Sequence, residues 1–328
     1  MTNRLELNWK LDGFIDEQRY YCSETPIDPE NLPLPKAVLA GDVRTYTDID
    51  VEVGKTYYVA VSSVKNAIEK FSEIKNLDLR WNPDWLGMKA RFSAQKAISS
   101  SSNIVTGLVN IDNSIANLIP GKTGAALTEY NSSLRKLQCS KNQGYRITES
   151  KNWLRNKSQW YMLAVVNPAY STEDSVLMAL PTGLATGVRA ALMTSSGKFY
   201  FGGRRLDADS WSRIFSPLSY SKNVILVGVA NTLTRTLQLY INGVLVAETN
   251  TWQTAGITQD TDALMDVGVL SYSDGTNGFA GDAFFLAFSN TELTTTDRQK
   301  FEGWAAHTYG LTSSLPAGHP YKTSAPNS

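Results

Sequence analysis

The chain has 328 residues, 31 Lys plus Arg against 31 Asp plus Glu, and 42% hydrophobic residues. That length suits two domains, the apolar content is too high for wholesale disorder, and the balanced charge is without a basic run. These numbers point away from partners held by long-range electrostatics, nucleic acid and anionic membrane above all. Cys22 and Cys139 are too few and too far apart for a disulfide framework. We read them as free thiols, which suits assembly in a reducing cytoplasm. The first residues contain no apolar core of a signal peptide, and no run approaches the ~18 apolar residues that cross a membrane.

Residues 1–78 read as a small sandwich. Leu5, Leu7 and Trp9 alternate with Glu6 and Asn8, the period of a half-buried strand. Asp12-Gly13 breaks it, and Arg19–Ser23 forms a second strand. The stretch from Pro26 to Pro35 is a loop, because proline cannot sit in a central strand. Gly54 then opens a strand in which Tyr57, Val59 and Val61 share one face, and Lys65–Ser72 closes the module. The early Trp9 together with the spacing from Gly54 through Tyr57 to Val61 resembles fibronectin type III domains. That resemblance implies an adaptor in which Trp9 is a core residue and the Tyr57 hydroxyl bonds back to nearby backbone.

Residues 79–328 read as a larger sandwich. Trp160–Val166 is almost continuously apolar, as in a strand buried on both faces. Val188–Met193 runs through Ser196-Gly197 into Lys198–Phe201, a hairpin, and Gly202-Gly203-Arg204-Arg205 reads as a bend between strands. Asn223–Val229 and Thr236–Ile241 are further strands, the second turning at Asn242-Gly243 into Val244–Ala247. Asn-Gly suits that turn because both positions require positive φ. Met265–Leu270 and Gly281–Phe288 complete the strands. An amphipathic helix follows, with Phe301, Trp304, Ala305 and Tyr309 at helical spacing, a Thr-rich start and Gly310 past its end. The fold class is therefore all-β, a small fibronectin III-like sandwich followed by a larger jelly-roll sandwich with one C-terminal helix.

The larger region resembles the laminin G-like branch of the concanavalin A-like lectin/glucanase superfamily. Leu239–Val246, Gly278–Ser289 and the closing helix carry the likeness. The ending Tyr309-Gly-Leu, then Leu315-Pro-Ala-Gly-His-Pro-Tyr321, resembles lectin-like modules of bacteriophage structural proteins. Near Val109–Ser114 the match weakens, since Ile111 stands where Trp is usual and Ala116 where Gly is usual. The resemblance implies a virion protein assembled in the host cytoplasm: a tail-tip, fibre-associated or decoration component. Its partners would be other virion proteins and a host-surface polysaccharide, and it could form a homo-oligomer. The alternative it leaves open is a purely structural tail or capsid component that binds only virion proteins.

Enzymatic constellations are missing from the sequence. The glucanase members carry an E-x-D-x-(x)-E strand whose carboxylates share one face, and Asp262–Asp266 comes nearest without its glutamates. His307 and His319 are the two histidines, on the helix and in the tail, and read as surface or packing residues. No phosphate-cradling G-x-x-x-x-G-K-[ST] loop occurs, and the expectation is a non-enzyme without cofactor. Calcium stays open, with Asp207–Asp209, Asp260–Asp262 and Asp274–Asn277 as candidate loops. Sugar recognition pairs an aromatic face with nearby polar groups. The candidates for it are Trp211 with Asp207 and Asp209, Trp252, and Tyr272 with Asp274 and Asn277, with Trp153 a weaker one.

Overall fold

The computed structural model describes residues 4–11, 13–52, 54–79, 81–129, 135–148, 152–182, 187–259 and 266–326. They form two compact units, one ending at Asn82 and the other spanning Pro83–Ala325. The division falls four residues beyond the expected position 78, because the last strand of the small unit and its exit both hydrogen-bond back into it. Lys75–Asp78 pairs with the strand Thr56–Lys65, and the Leu79 carbonyl accepts from Gly54 N–H at 3.2 Å.

The small unit holds β1 (Leu5–Asn8), β2 (Glu17–Ser23), β3 (Ala37–Ala40), β4 (Thr45–Asp48), β5 (Thr56–Lys65), β6 (Ile68–Phe71) and β7 (Lys75–Asp78). β1 pairs with β4, and a second sheet runs β3-β2-β5-β6 with β7 along β5. Alternation in β5 turns Tyr57 and Val59 into a core with Tyr20 and Val51, against which Leu5, Leu7 and Val61 pack. Tyr57 is buried, and Glu52 N–H donates to its hydroxyl at 2.9 Å. Trp9 departs from its expected core role. It lies past the end of β1 and is half-buried, with Nε1 donating to Gln18 Oε1 at 2.6 Å. Asp48 is buried and accepts from Lys36 Nζ at 2.7 Å and from the Tyr20 hydroxyl at 3.0 Å. Burial works to raise its pKa, but the Lys36, Asp50 N–H and Tyr20 hydrogen bonds outweigh it and hold the carboxylate below its ordinary value.

The large unit contains β8 (Ala90–Ser93), β9 (Ala97–Ser99), β10 (Val105–Val109), β11 (Ile115–Leu118), β12 (Ala126–Glu129), β13 (Arg135–Cys139), β14 (Tyr145–Ile147) and β15 (Gln159–Pro168). There follow β16 (Ser175–Pro181), β17 (Val188–Ser195), β18 (Lys198–Gly203), β19 (Ser212–Phe215), β20 (Val224–Asn231), β21 (Thr236–Ile241), β22 (Val244–Thr249), β23 (Val267–Val269), β24 (Gly281–Ser289) and α1 (Thr295–Thr308). One antiparallel sheet runs β19-β18-β17-β16-β23-β14-β11-β10-β9. The other runs β12-β13-β24-β15-β20-β21-β22, with β8 along β24. Their inner faces share one core, with Trp160, Met162 and Val166 from β15 among Leu192, Phe199, Phe201, Leu237 and Leu239. The sheets meet so closely that a Cβ on Gly228 would come within 2.5 Å of the Phe201 ring. Gly202 and Gly203 are not a bend but the end of β18. A Cβ there would meet the Ser212 and Arg189 carbonyls at 2.5 and 2.6 Å.

Helix α1 covers the outer face of the second sheet, packing Phe301 and Trp304 on Phe285 and Tyr309 on Phe284. Its caps are those the sequence predicts: the Thr294 hydroxyl accepts from Asp297 N–H at 3.1 Å, and Gly310 takes φ +69°. It is not simply two-faced, however, because Glu302 is fully buried beside Phe301 and Ala305. Both Glu302 oxygens accept from Arg298 Nη1 at 2.7 Å, and His319 Nε2 lies 3.2 Å from Oε2. Arg298 in turn stacks 4.0 Å above the Tyr240 ring of β21. His319 presses against Gly243, whose φ of +81° closes the β21–β22 turn. Helix, hairpin and tail are thus pinned to one buried carboxylate.

Two outcomes are expected from these buried carboxylates. Glu302→Ala strands the Arg298 charge and should cost about 3 kcal/mol of stability, read as the urea midpoint at constant slope. Asp48→Asn should destabilise the small unit at pH 7. That deficit should vanish well below the depressed Asp48 pKa, where the wild-type carboxylate is also protonated and its contribution lost. Parallel acid titrations of both proteins would expose a deficit that persists, which would remove Asp48 from the account.

Candidate functional site

On the side of the nine-stranded sheet away from the main core, Val176, Ala179, Ala191, Met193 and Tyr200 form a second small apolar layer. This follows from β16, β17 and β18 being apolar at successive positions, so both faces of each strand need cover. The cover is incomplete. A cavity of about 570 Å³ opens over this layer, within the size range of small-ligand sites. Its floor is Ala179, Leu180, Val188, Met193 and Tyr200, and its walls include Trp211, Tyr272, Asp174, Asp266, Asp274, Arg204 and Arg213.

The walls are held by defined contacts. Trp211 and Tyr272 pack on the apolar layer, and the Tyr272 hydroxyl lies 3.5 Å from Met193 Sδ. The guanidinium of Arg213 sits 4.9 Å from the Tyr200 ring centre and 4.8 Å from that of Phe215, and 3.4 Å from Asp174. The turn carrying Asp274 is closed by Gly275 at φ +79°, and Asp274 Oδ1 accepts from Thr276 N–H at 2.8 Å. Val176 N–H donates to the Asn277 carbonyl at 2.8 Å and ties this turn to β16.

Two buried donor atoms border the cavity. Tyr200 is fully buried, yet its hydroxyl makes no bond of hydrogen-bond geometry, and Arg204 Nε is likewise buried without a partner. Burial first, then the neighbouring Asp174 carboxylate, push the Tyr200 phenol far above its ordinary pKa, so it remains a neutral donor. Buried polar groups are nearly always satisfied. Beside the cavity the Tyr200 hydroxyl faces the Asp174 carboxylate, and Arg204 Nε is buried without a partner among the described residues.

The candidate residues of the sequence divide. Trp211, Tyr272 and Asp274 come together in this cavity, and Asn277 lines a smaller depression beside it. Trp252 does not. It is buried in the core, edge-on to Trp160 at 5.5 Å, with Nε1 donating to the Gly203 carbonyl at 3.3 Å. Asp207 does not either, because its carboxylate is buried in an ion pair with Arg189. A cation in the Asp207–Asp209 loop would have to displace that guanidinium, and Asp209 Oδ2 is engaged by Leu206 N–H at 2.8 Å. Trp153 stacks on Phe288 at 5.6 Å as a packing residue. The loop Asp260–Asp262 lies outside the described residues. Among the described residues, no group of three His, Cys, Asp or Glu side chains is placed to hold a metal ion.

The cysteines and histidines lie outside this cavity. Cys139 is buried and Cys22 half-buried, and desolvation raises both thiols above their ordinary pKa. His319 is committed to Glu302, and His307 Nε2 lies 3.1 Å from the Tyr321 carbonyl. Asp174, Tyr200, Arg204 and Arg213 escaped the sequence reading because they gather from β18, β19 and intervening loops with no local signature.

No protein-family model matches the chain, and no curated protein matches it in sequence. Among solved structures it is similar to the botulinum neurotoxin serotype C1 binding domain, with 14% identity and TM-score 0.42 over 62% of this chain and 51% of that one. It is similar to the binding domain of Paraclostridial Mosquitocidal Protein 1, with 12% identity and TM-score 0.46 over 64% and 51%. A third is CBM40 of the Ruminococcus gnavus IT-sialidase bound to α2,3-sialyllactose, with 14% identity and TM-score 0.40 over 49% and 95%. The chain spans about half the length of the two binding domains. These are likenesses of fold alone.

The two tryptophans should separate in mutation. Trp252→Ala empties a core position and should cost about 3–5 kcal/mol, whereas Trp211→Ala, half-buried at a cavity wall, should cost well under half of that. Thermal unfolding of the two variants side by side decides the assignment.

Proposed function

We propose that the chain is a non-enzymatic glycan-binding protein of a bacteriophage particle, and that the cavity walled by Trp211 and Tyr272 is its sugar site. The observation that carries the reading is the aromatic-walled cavity over the apolar layer of β16–β18, with the Tyr200 hydroxyl buried beside Asp174 at its floor. A sugar ring offers an apolar C–H face to an aromatic wall and a rim of hydroxyls to donors and carboxylates. Tyr200 and Arg204 supply donors, while Asp174 and Asp274 supply acceptors. The phage setting rests on the sequence resemblance of the Tyr309–Tyr321 ending. Under this reading the ligand is a host-surface polysaccharide.

The small unit serves in this proposal as the fibronectin III-like adaptor that joins the lectin-like unit to other virion proteins. Phe14 and Leu34 are 92% and 91% exposed, which suits a surface that another protein covers.

Tyr200→Phe gives a sharp test. Deleting the hydroxyl that faces Asp174 should change the melting temperature little, while glycan affinity falls about tenfold. Trp211→Ala should lower affinity by at least as much. Binding of purified protein to host-cell polysaccharide, measured by calorimetry, checks both. Unaltered affinity in both variants would place any sugar elsewhere on the molecule. Cryo-EM of intact particles labelled for this chain tests the virion assignment separately, and its absence from every particle would end that part of the proposal.

A further inference from the structure

Beside the aromatic cavity lies a second depression of about 310 Å³, lined by Lys122, Lys141, Asn142, Glu173, Asp174 and the turn Gly275–Gly278. The two share Asp174 as a wall, and the single turn Asp274–Asn277 lines one with Asp274 and the other with Gly275, Thr276 and Asn277. Among the described residues the second depression has no aromatic wall, so its chemistry there is hydrogen bonding and charge.

The lining itself is balanced, Lys122 and Lys141 against Glu173 and Asp174, but Asp174 is also drawn to Arg213 of the aromatic cavity. Glu173 is paired with Lys141 Nζ at 2.8 Å, and Asp174 with Arg213 at 3.4 Å. Both carboxylates are therefore already countered. Lys122 has no such partner among the described residues. Its position is set by packing: the aliphatic stem lies across Gly275, where a Cβ would meet Lys122 Cε at 2.4 Å and Cγ at 2.9 Å. Gly275 is favoured by its φ of +79°, and the lysine stem lies above it. At its own end Lys122 is fixed by a turn, with its N–H donating to the Ile119 carbonyl at 3.0 Å. An ammonium group left without a carboxylate partner beside the amides of Asn142 and Asn277 is a site for an anionic group.

We infer that the two depressions form one continuous binding site for an acidic oligosaccharide. One sugar stacks in the aromatic cavity, and a carboxylate-, sulfate- or phosphate-bearing neighbour is held at Lys122. The inference rests on the sugar reading of the aromatic cavity and adds to it a chain length above one residue and a charge. Neutral glycans engage only the first depression.

The test is a glycan array that carries neutral oligosaccharides beside uronate-, sialate-, sulfate- and phosphate-bearing ones, probed with the full chain and its Lys122→Gln and Trp211→Ala variants. Wild type should select acidic members. Lys122→Gln should weaken them about tenfold, flatten their dependence on salt, and leave the melting temperature in place. Trp211→Ala should weaken every glycan. Should neutral and acidic members bind equally, with Lys122→Gln silent and Trp211→Ala damaging, the second subsite is overturned and the sugar site stands. Should Trp211→Ala change nothing, or no glycan bind, both are overturned together.

Discussion

The structure of the large unit is governed by sheets that are apolar on both faces. In β15 the residues from Trp160 to Val166 are all buried, and β15 pairs along its length with β20 on one side and β24 on the other. Such a strand cannot border water, so each sheet must be covered twice, once by its partner sheet and once from outside. The second sheet obtains its outer cover from α1, through Phe301, Trp304 and Tyr309. Among the described residues, the first sheet obtains Trp211, Tyr272 and the loops that carry them, and it is there that a cavity lies. The candidate site is a consequence of asymmetric cover.

This explains which parts of the molecule the sequence made legible. Strong local chemistry came through intact. Asn242-Gly243 adopts the positive φ values of +51° and +81° that the dipeptide suggests, Ser196-Gly197 does the same at +51° and +73°, and Thr294 and Gly310 cap the helix. Strand β16 is less legible than β15 because Ser175–Pro181 is an apolar run of Leu, Met and Ala, which favour helix as readily as strand, whereas Trp160–Val166 carries aromatic and β-branched residues. The short strands between Ala90 and Ile147 were equally faint, three to five residues each.

The site was legible in part for the same reason. Trp211, Tyr272 and Asp274 were found because aromatic and acidic residues next to turns are visible in one dimension. Trp252 and Asp207 carried the same local signal and serve the interior, the first against Trp160 and the second against Arg189. Nothing within a few residues of them reports those partners, which lie 92 and 18 positions away and are decided by tertiary packing. Tyr200 presents the converse, an apparent strand aromatic whose buried hydroxyl becomes informative only when the cavity and Asp174 beside it are seen.

The distinctive ending of the chain acquires a mechanical meaning from the Glu302 cluster. A carboxylate with no exposure can be tolerated only once Arg298 and His319 surround it, and His319 must also fit against the glycine of a hairpin some 76 residues earlier. During synthesis on the ribosome, the hairpin and helix leave the exit tunnel before the residue that completes their junction. The large unit therefore cannot close strand by strand as it emerges, and its final locking waits for almost all of this sequence to be translated.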